Sequence, residues 1–279
     1  MTYREICTAL SRGGVDSAEW DAALLLEHFC GISRTACLAA PDVDHPSPAL
    51  AEAVSRRATR YPLQYLLGEW QFYRQTYEVS PDCLIPRADT ELLVETATRL
   101  LPQGAYFADL CTGSGCIAIS TLAERPDTRA LALEKFPRTL ALAVRNAAKN
   151  GVTSRFEAIE GDVLAPQFLP SDVQFDAILS NPPYIRPDVI ATLEPELAAE
   201  PHAALDGGAD GLDFYRAILA AAPAHLRPNG FVLFEIGYDQ AQAVSELARE
   251  AGFADVRLLR DLGGCDRALL LRHAGALLA

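Results

Sequence analysis

The sequence predicts an α/β protein, a helical bundle followed by a doubly wound, mainly parallel sheet with helices on both faces. Three observations carry that expectation. Helix-period segments with cap and stop signals fill roughly the first 75 residues. From about residue 88 helical and strand patterns alternate. A Gly-rich turn follows the first strand of that alternation.

The 279 residues are 50% hydrophobic and 22% charged, enough to bury one or two cores, which excludes disorder as the main state. Acids outnumber bases 37 to 24, for a net charge of −13. Gripping a phosphate backbone over a broad face requires clustered Lys and Arg, so no direct nucleic-acid partner is expected. No apolar run is long enough to span a bilayer and Met1–Glu5 has no signal core, so the expected location is cytoplasmic, off the membrane. Seven cysteines form no C-x-x-C pair and the five histidines are scattered, which predicts neither disulfides nor a metal site.

The elements follow in order. Asp16-Ser17-Ala18-Glu19 can cap a helix carrying Ala22, Leu25, Leu26 and Phe29 at helical spacing, and Gly31 stops it. A second helix runs from about Ser47 to Arg60, with Pro48 in its first turn. Gln71-Phe72-Tyr73 and Thr76-Tyr77-Glu78-Val79 are β-prone, giving a hairpin-like linker over 76–87 between a helical domain at 1–75 and a catalytic domain at 88–279. In the latter, a helix at Thr90–Leu101 precedes the strand Tyr106–Leu110, and a helix at Cys116–Glu124 precedes the strand Arg129–Glu134. A helix at Leu140–Lys149 leads to the strand Phe156–Glu160, followed by the strand Phe175–Ser180. Helix 214–226, strand Gly230–Ile236, helix 239–251 and strands at 253–260 and 267–272 close the chain. Ligands of such sheets sit at the carboxyl ends of the strands, which places the chemistry in three loops.

In the first loop, Asp109-Leu110-Cys111-Thr112-Gly113-Ser114-Gly115 runs from strand to helix, so backbone amides and a positive helix end converge on a ligand. Gly113 and Gly115 allow close approach, while the third glycine of a dinucleotide fingerprint is missing. Glu134 ends the next apolar strand, where a carboxylate can accept both ribose hydroxyls. After the third strand, Asp162 can take an adenine amine and Val163 can cover the ring. A dinucleotide needs a pyrophosphate grip, whereas an adenosyl group on an amino acid does not, so S-adenosylmethionine is the expected cofactor. Asp109 lies under the loop, either to orient it or to receive the methionine ammonium.

The strand Phe175–Ser180 enters Asn181-Pro182-Pro183-Tyr184. The prolines remove two backbone donors and stiffen the chain. The Asn181 side-chain oxygen and the Pro182 carbonyl can each accept a hydrogen from one planar –NH2 group, on a carboxamide or on a base. Tyr184 is expected to pack on that group.

Together the Asn181–Tyr184 tetrad, the Asp109–Gly115 loop and Leu84-Ile85-Pro86-Arg87-Ala88-Asp89-Thr90-Glu91 resemble the peptide chain release factor glutamine methyltransferases. The likeness extends through Pro62-Leu63-Gln64-Tyr65-Leu66-Leu67-Gly68, Glu200-Pro201 to Gly211, and Asp261 to Arg267. It implies a Rossmann-like class I S-adenosylmethionine-dependent methyltransferase sheet behind a substrate-recognition bundle, acting as a monomer on release factors. The methylated atom is then the side-chain amide nitrogen of the glutamine in their Gly-Gly-Gln loop. Asn181, Pro182, Pro183 and Tyr184 bind that glutamine by this likeness. Asp109, Cys111, Thr112, Gly113, Ser114, Gly115, Glu134, Asp162, Val163 and Asn181 then serve the cofactor. The family more often has glycine at Cys111 and aspartate at Glu134. A sister family that methylates a large-subunit ribosomal protein shares the Cys-Thr-Gly-Ser-Gly-Cys wording, and an adenine-N6 DNA methyltransferase could use the same tetrad. Residues 186–213 carry about −6, which argues against DNA and suggests a surface that steers in a basic substrate loop.

Overall fold

A computed structural model describes residues 1–273, so the last six residues of the expected 88–279 region lie outside the described residues. The chain forms two compact units, Met1–Glu69 with Leu193–Glu200, and Trp70–Thr192 with the chain from Pro201 onward.

In the first unit, α1 (Tyr3–Arg12) begins at a capping box. The Thr2 hydroxyl accepts the Glu5 amide and the Glu5 carboxylate accepts the Thr2 amide. α2 (Ala18–Cys30) stops at Gly31, which has φ 70°. Its expected cap works differently, because the Ser17 hydroxyl donates to the Asp21 carboxylate at 2.7 Å. α3 (Arg34–Ala39), α4 (Pro48–Arg57) and α5 (Leu63–Leu67) complete the bundle around Ile6, Leu10, Leu25, Leu26, Leu50 and Val54. α4 ends three residues before the expected Arg60, whose φ of 67° is incompatible with continuing the helix. Arg57 is buried and donates to buried Asp21 at 2.7 Å, while Glu196 from the Leu193–Glu200 segment accepts from Arg57 at 2.9 Å.

β1 (Glu69–Phe72) and β2 (Gln75–Glu78) form a two-stranded sheet, turning at Tyr73 with φ 54°. In the second unit a 3-10 turn at Ala88–Thr90 enters α6 (Glu91–Leu100). Then come β3 (Tyr106–Leu110), α7 (Cys116–Glu124), β4 (Arg129–Glu134), α8 (Pro137–Lys149), β5 (Phe156–Glu160) and β6 (Phe175–Ser180). A short α9 (Pro187–Ile190) precedes α10 (Asp213–His225), β7 (Leu226–Glu235), α11 (Ala241–Glu250), β8 (Phe253–Arg260) and β9 (Asp266–His273).

The sheet order is β5-β4-β3-β6-β7-β9-β8; the first five strands are parallel, and β9 runs antiparallel to both neighbours. Alternate residues of each strand face opposite layers. Phe107, Ala177 and Leu179 pack with Leu93, Ile117 and Leu122. Ala108, Leu110 and Ile178 pack with Ile218, Leu219 and Val244. Burial on both faces explains why these strands read as continuous apolar runs. β7 starts at Leu226, four residues ahead of expectation, because a bulge opposite β6 absorbs Arg227–Gly230. After β5 the chain crosses to the other side of β3. The carboxyl ends of β3 and β6 therefore flank the topological switch point, where such sheets bind ligands.

Candidate active site

The loop leaving β3 visits positive φ three times, at Cys111 (59°), Gly113 (56°) and Gly115 (82°). Glycine adopts this region at little cost and a cysteine does not, so Cys111 holds a conformation that glycine would favour. A Cβ on Gly115 would lie 2.6 Å from Ile119 Cδ1, a clash that a rotation of the isoleucine could relieve, so the positive φ is the stronger reason for glycine there. Asp109 is fully buried beneath the loop. Its Oδ2 accepts from the Thr112 hydroxyl at 2.6 Å and the Ala118 amide at 3.1 Å, while Oδ1 meets no hydrogen-bond partner among the described residues. Burial pushes its pKa up to about 7. From α8, Asn146 Nδ2 donates to Ser114 O at 2.9 Å and braces the loop's far side.

Glu134, at the end of β4, is nearly buried. Its Oε2 accepts the Gly113 amide at 3.0 Å and its Oε1 the Phe136 amide at 3.1 Å. After β5, Asp162 pairs with Lys135 at 2.8 Å and accepts the Leu164 amide at 2.9 Å. Val163 is buried beside it. These loops and the segment Asp82–Arg87 enclose a cavity of about 390 Å³. Cys111, Thr112, Gly113, Ser114, Glu134, Asp162, Val163, Asn181 and Pro183 line it. Asp109, Gly115, Pro182 and Tyr184 are not among its lining residues.

The Ser180 hydroxyl donates to Leu110 O at 2.6 Å and so ties the end of β6 to that of β3. Asn181 follows directly, its Nδ2 donating to Thr90 Oγ1 at 3.2 Å. Pro183 and Asn181 face the cavity, whereas the Tyr184 ring turns into the layer that packs on α10 and α11. Its hydroxyl donates to Glu235 Oε1 at 3.3 Å and its carbonyl accepts from Gln240 Nε2 at 3.0 Å. The chain returns beside the motif, since Ile185 N donates to Leu205 O at 2.8 Å and Gly207 N donates to Ile185 O at 2.9 Å.

Thr90 and Glu235 were not singled out from the sequence as separate site residues. Thr90 sits inside the Leu84–Glu91 stretch. Glu235 ends an apolar strand, the same pattern that marks Glu134. Glu91 accepts the Tyr73 amide at 2.7 Å, and Arg87 lines the cavity. Arginines accompany several acids of the insertion. Glu194 and Glu196 pair with Arg57 and Arg60 within the first unit, Asp188 pairs with Arg186, and Asp210 and Asp213 pair with Arg216. Arg60 and Arg216 offset part of the insertion's charge, while Arg57 also serves the buried Asp21, so the insertion stays net acidic.

Residues 2–68 match the family described as PrmC N-terminal domain, and residues 88–208 match the Methyltransferase small domain. Sheet order, switch-point cavity and these matches define a methyltransferase that works with an S-adenosylmethionine-type methyl donor. The chain is 45% identical over 271 residues to the release factor glutamine methyltransferase of Cereibacter sphaeroides, covering 96% of this chain and 95% of that protein. It is 40% identical over 262 residues to the one of Geobacter sulfurreducens, covering 92% and 90%. The chain belongs to the release factor glutamine methyltransferase family. A methyltransferase structure from Pyrococcus furiosus shares the fold at 19% identity and TM-score 0.53, covering 70% of this chain and 87% of that one.

Proposed function

We propose that this chain transfers a methyl group from S-adenosylmethionine to the side-chain amide nitrogen (N5) of the glutamine in the Gly-Gly-Gln loop of peptide chain release factors. The products are N5-methylglutamine and S-adenosylhomocysteine. Residues 1–75 are read as the substrate-recognition domain, 76–87 as a linker and 88–279 as the catalytic domain of a cytoplasmic monomer that needs no direct nucleic-acid contact. Among the described residues no helix is long and apolar enough to cross a membrane.

The cavity's volume and its donor set suit an adenosyl group. Glu134 offers a carboxylate to a ribose, and the turn at Gly113 and Gly115 presents amides without Cβ atoms. When bound, the cofactor supplies an electrophilic methyl on a sulfonium. The protein's task is the acceptor. An amide nitrogen is a poor nucleophile because its lone pair is delocalised into the carbonyl. The Asn181 Oδ1 and the Pro182 carbonyl, each accepting one amide hydrogen, turn the nitrogen toward the cofactor and stabilise the positive charge that grows on it. As the new N–C bond forms, one N–H proton is shed to water, and no strong base is required.

The observation that carries this reading is the placement of Asn181 at the carboxyl end of β6, on the cavity wall, with its Nδ2 already engaged by Thr90. The test is methyl transfer from labelled S-adenosylmethionine to purified release factors, followed by mass spectrometry of the Gly-Gly-Gln peptide. One added methyl on the glutamine supports the reading. Label in a large-subunit ribosomal protein alone reassigns the chain to the sister specificity, and label in plasmid DNA alone points to adenine-N6 chemistry.

A further inference from the structure

Behind Asn181 three polar groups stand in line. Asn181 Nδ2 meets Thr90 Oγ1 at 3.2 Å, and Thr90 Oγ1 meets Glu235 Oε2 at 2.6 Å. Thr90 and Glu235 are both buried, 2% and 3% exposed, so water does not complete their hydrogen bonding. A hydroxyl carries one proton. Given to the carboxylate oxygen, it leaves only lone pairs on the side that faces Asn181, and lone pairs require a donor. With Glu235 ionised, the Asn181 amide therefore turns its NH2 toward Thr90, the orientation the 3.2 Å contact shows, and its Oδ1 away. The opposite flip would set the Asn181 NH2 against the NH2 of the acceptor amide, donor against donor.

We propose that Glu235 is a positioning residue which, through Thr90, fixes the orientation of the Asn181 amide so that its oxygen meets the acceptor –NH2 group; this rests on the function proposed above. The second carboxylate oxygen is also engaged, because the Tyr184 hydroxyl donates to Oε1 at 3.3 Å. One carboxylate thus holds both ends of the Asn181–Tyr184 tetrad. Arg267, itself paired with Asp89 at 3.3 Å and Asp261 at 3.1 Å, lies close enough to offset the buried charge.

The test compares Thr90→Val, which keeps the side-chain shape and removes the hydroxyl, with Thr90→Ser, which keeps the hydroxyl. Readouts are kcat and KM for a release factor, calorimetric affinity for S-adenosylmethionine, and thermal melting. Thr90→Val is expected to lose roughly tenfold or more in kcat, with cofactor affinity held within about twofold, and Thr90→Ser to recover most of the loss. Glu235→Gln, whose NH2 can donate to Thr90 and reverse the polarity, is expected to resemble Thr90→Val. If Glu235→Gln does not fold, the Thr90 pair still decides. Equal kcat for wild type and Thr90→Val would overturn the relay, as would equal losses for Val and Ser or a loss confined to cofactor affinity or melting. A wild-type protein that methylates no release factor would take down the functional reading, and the relay with it.

Discussion

The Glu134 carboxylate accepts the Gly113 backbone amide at 3.0 Å, joining the loop after β3 to the end of the neighbouring strand β4. The same side chain stands on the cavity wall, so it both shapes the Gly-rich turn and offers an acceptor to a ligand. Hydrogen bonds to a charged group contribute about 1.5–3 kcal/mol each. Glu134→Ala should weaken S-adenosylmethionine by about tenfold or more in calorimetry, while the rate at saturating cofactor falls less. A rate loss at saturation larger than the affinity loss would refute the assignment.

Asn181→Ala should show the reverse balance. In the proposed function its oxygen serves the acceptor, so cofactor affinity is expected to fall little while turnover drops by roughly a hundredfold, the scale of losing one preorganised polar contact in the transition state. Parallel titrations and single-turnover assays would separate the two.

Cys111 holds φ at 59°, where a β-branched side chain is strongly strained. Cys111→Val should destabilise the protein by about 2 kcal/mol in urea denaturation, whereas Cys111→Gly should stay within about 1 kcal/mol of wild type. Equal effects would mean that the loop relaxes to another conformation.

Burial pushes Asp109 and Glu235 up to about 7, whereas in an unfolded chain both titrate near about 4. The folded protein therefore holds these protons more tightly than the unfolded chain. Their stabilising contribution is complete below about pH 4 and disappears as pH rises to about 7. Asp109→Asn should flatten the fall in unfolding free energy between about pH 5 and about pH 7, and an unchanged slope would exclude Asp109 as its source.

In the first unit, Arg57 neutralises the buried Asp21 at 2.7 Å. Arg57→Met strands that carboxylate and should cost about 3 kcal/mol. Adding Asp21→Leu should restore much of it, and thermal melts of the single and double variants would show whether it does.

Much of the site was legible because its residues sit at strand ends, where a local pattern announces them. Asp109–Gly115, Glu134 and Asn181 each end an apolar run at the sheet's carboxyl edge. Glu235 ends one as well, and what concealed its importance is its partner: Thr90 lies 145 residues earlier in the chain. The helix at Tyr3–Arg12 was not read from the sequence, although Thr2 and Glu5 stand at capping-box spacing, because the helical stretch there is short. The end of α4 at Arg57 was not legible, because nothing local to Arg60 demands a positive φ. The Tyr184 hydroxyl's contact with Glu235 could not be read from the sequence, because the two residues lie 51 positions apart.

The sequence by itself determined the alternation of elements, the Gly-rich turn and the tetrad that ends β6, because period, caps and loop composition are local properties of the chain. Only the tertiary structure decided that the crossover after β5 sets the ends of β3 and β6 side by side, that β9 runs antiparallel beside β7, and that Glu194, Glu196, Asp210 and Asp213 of the insertion meet arginines from outside it. The physical reason is that a buried polar group must find a partner wherever packing brings one, and that partner is chosen by strand order and not by distance along the chain.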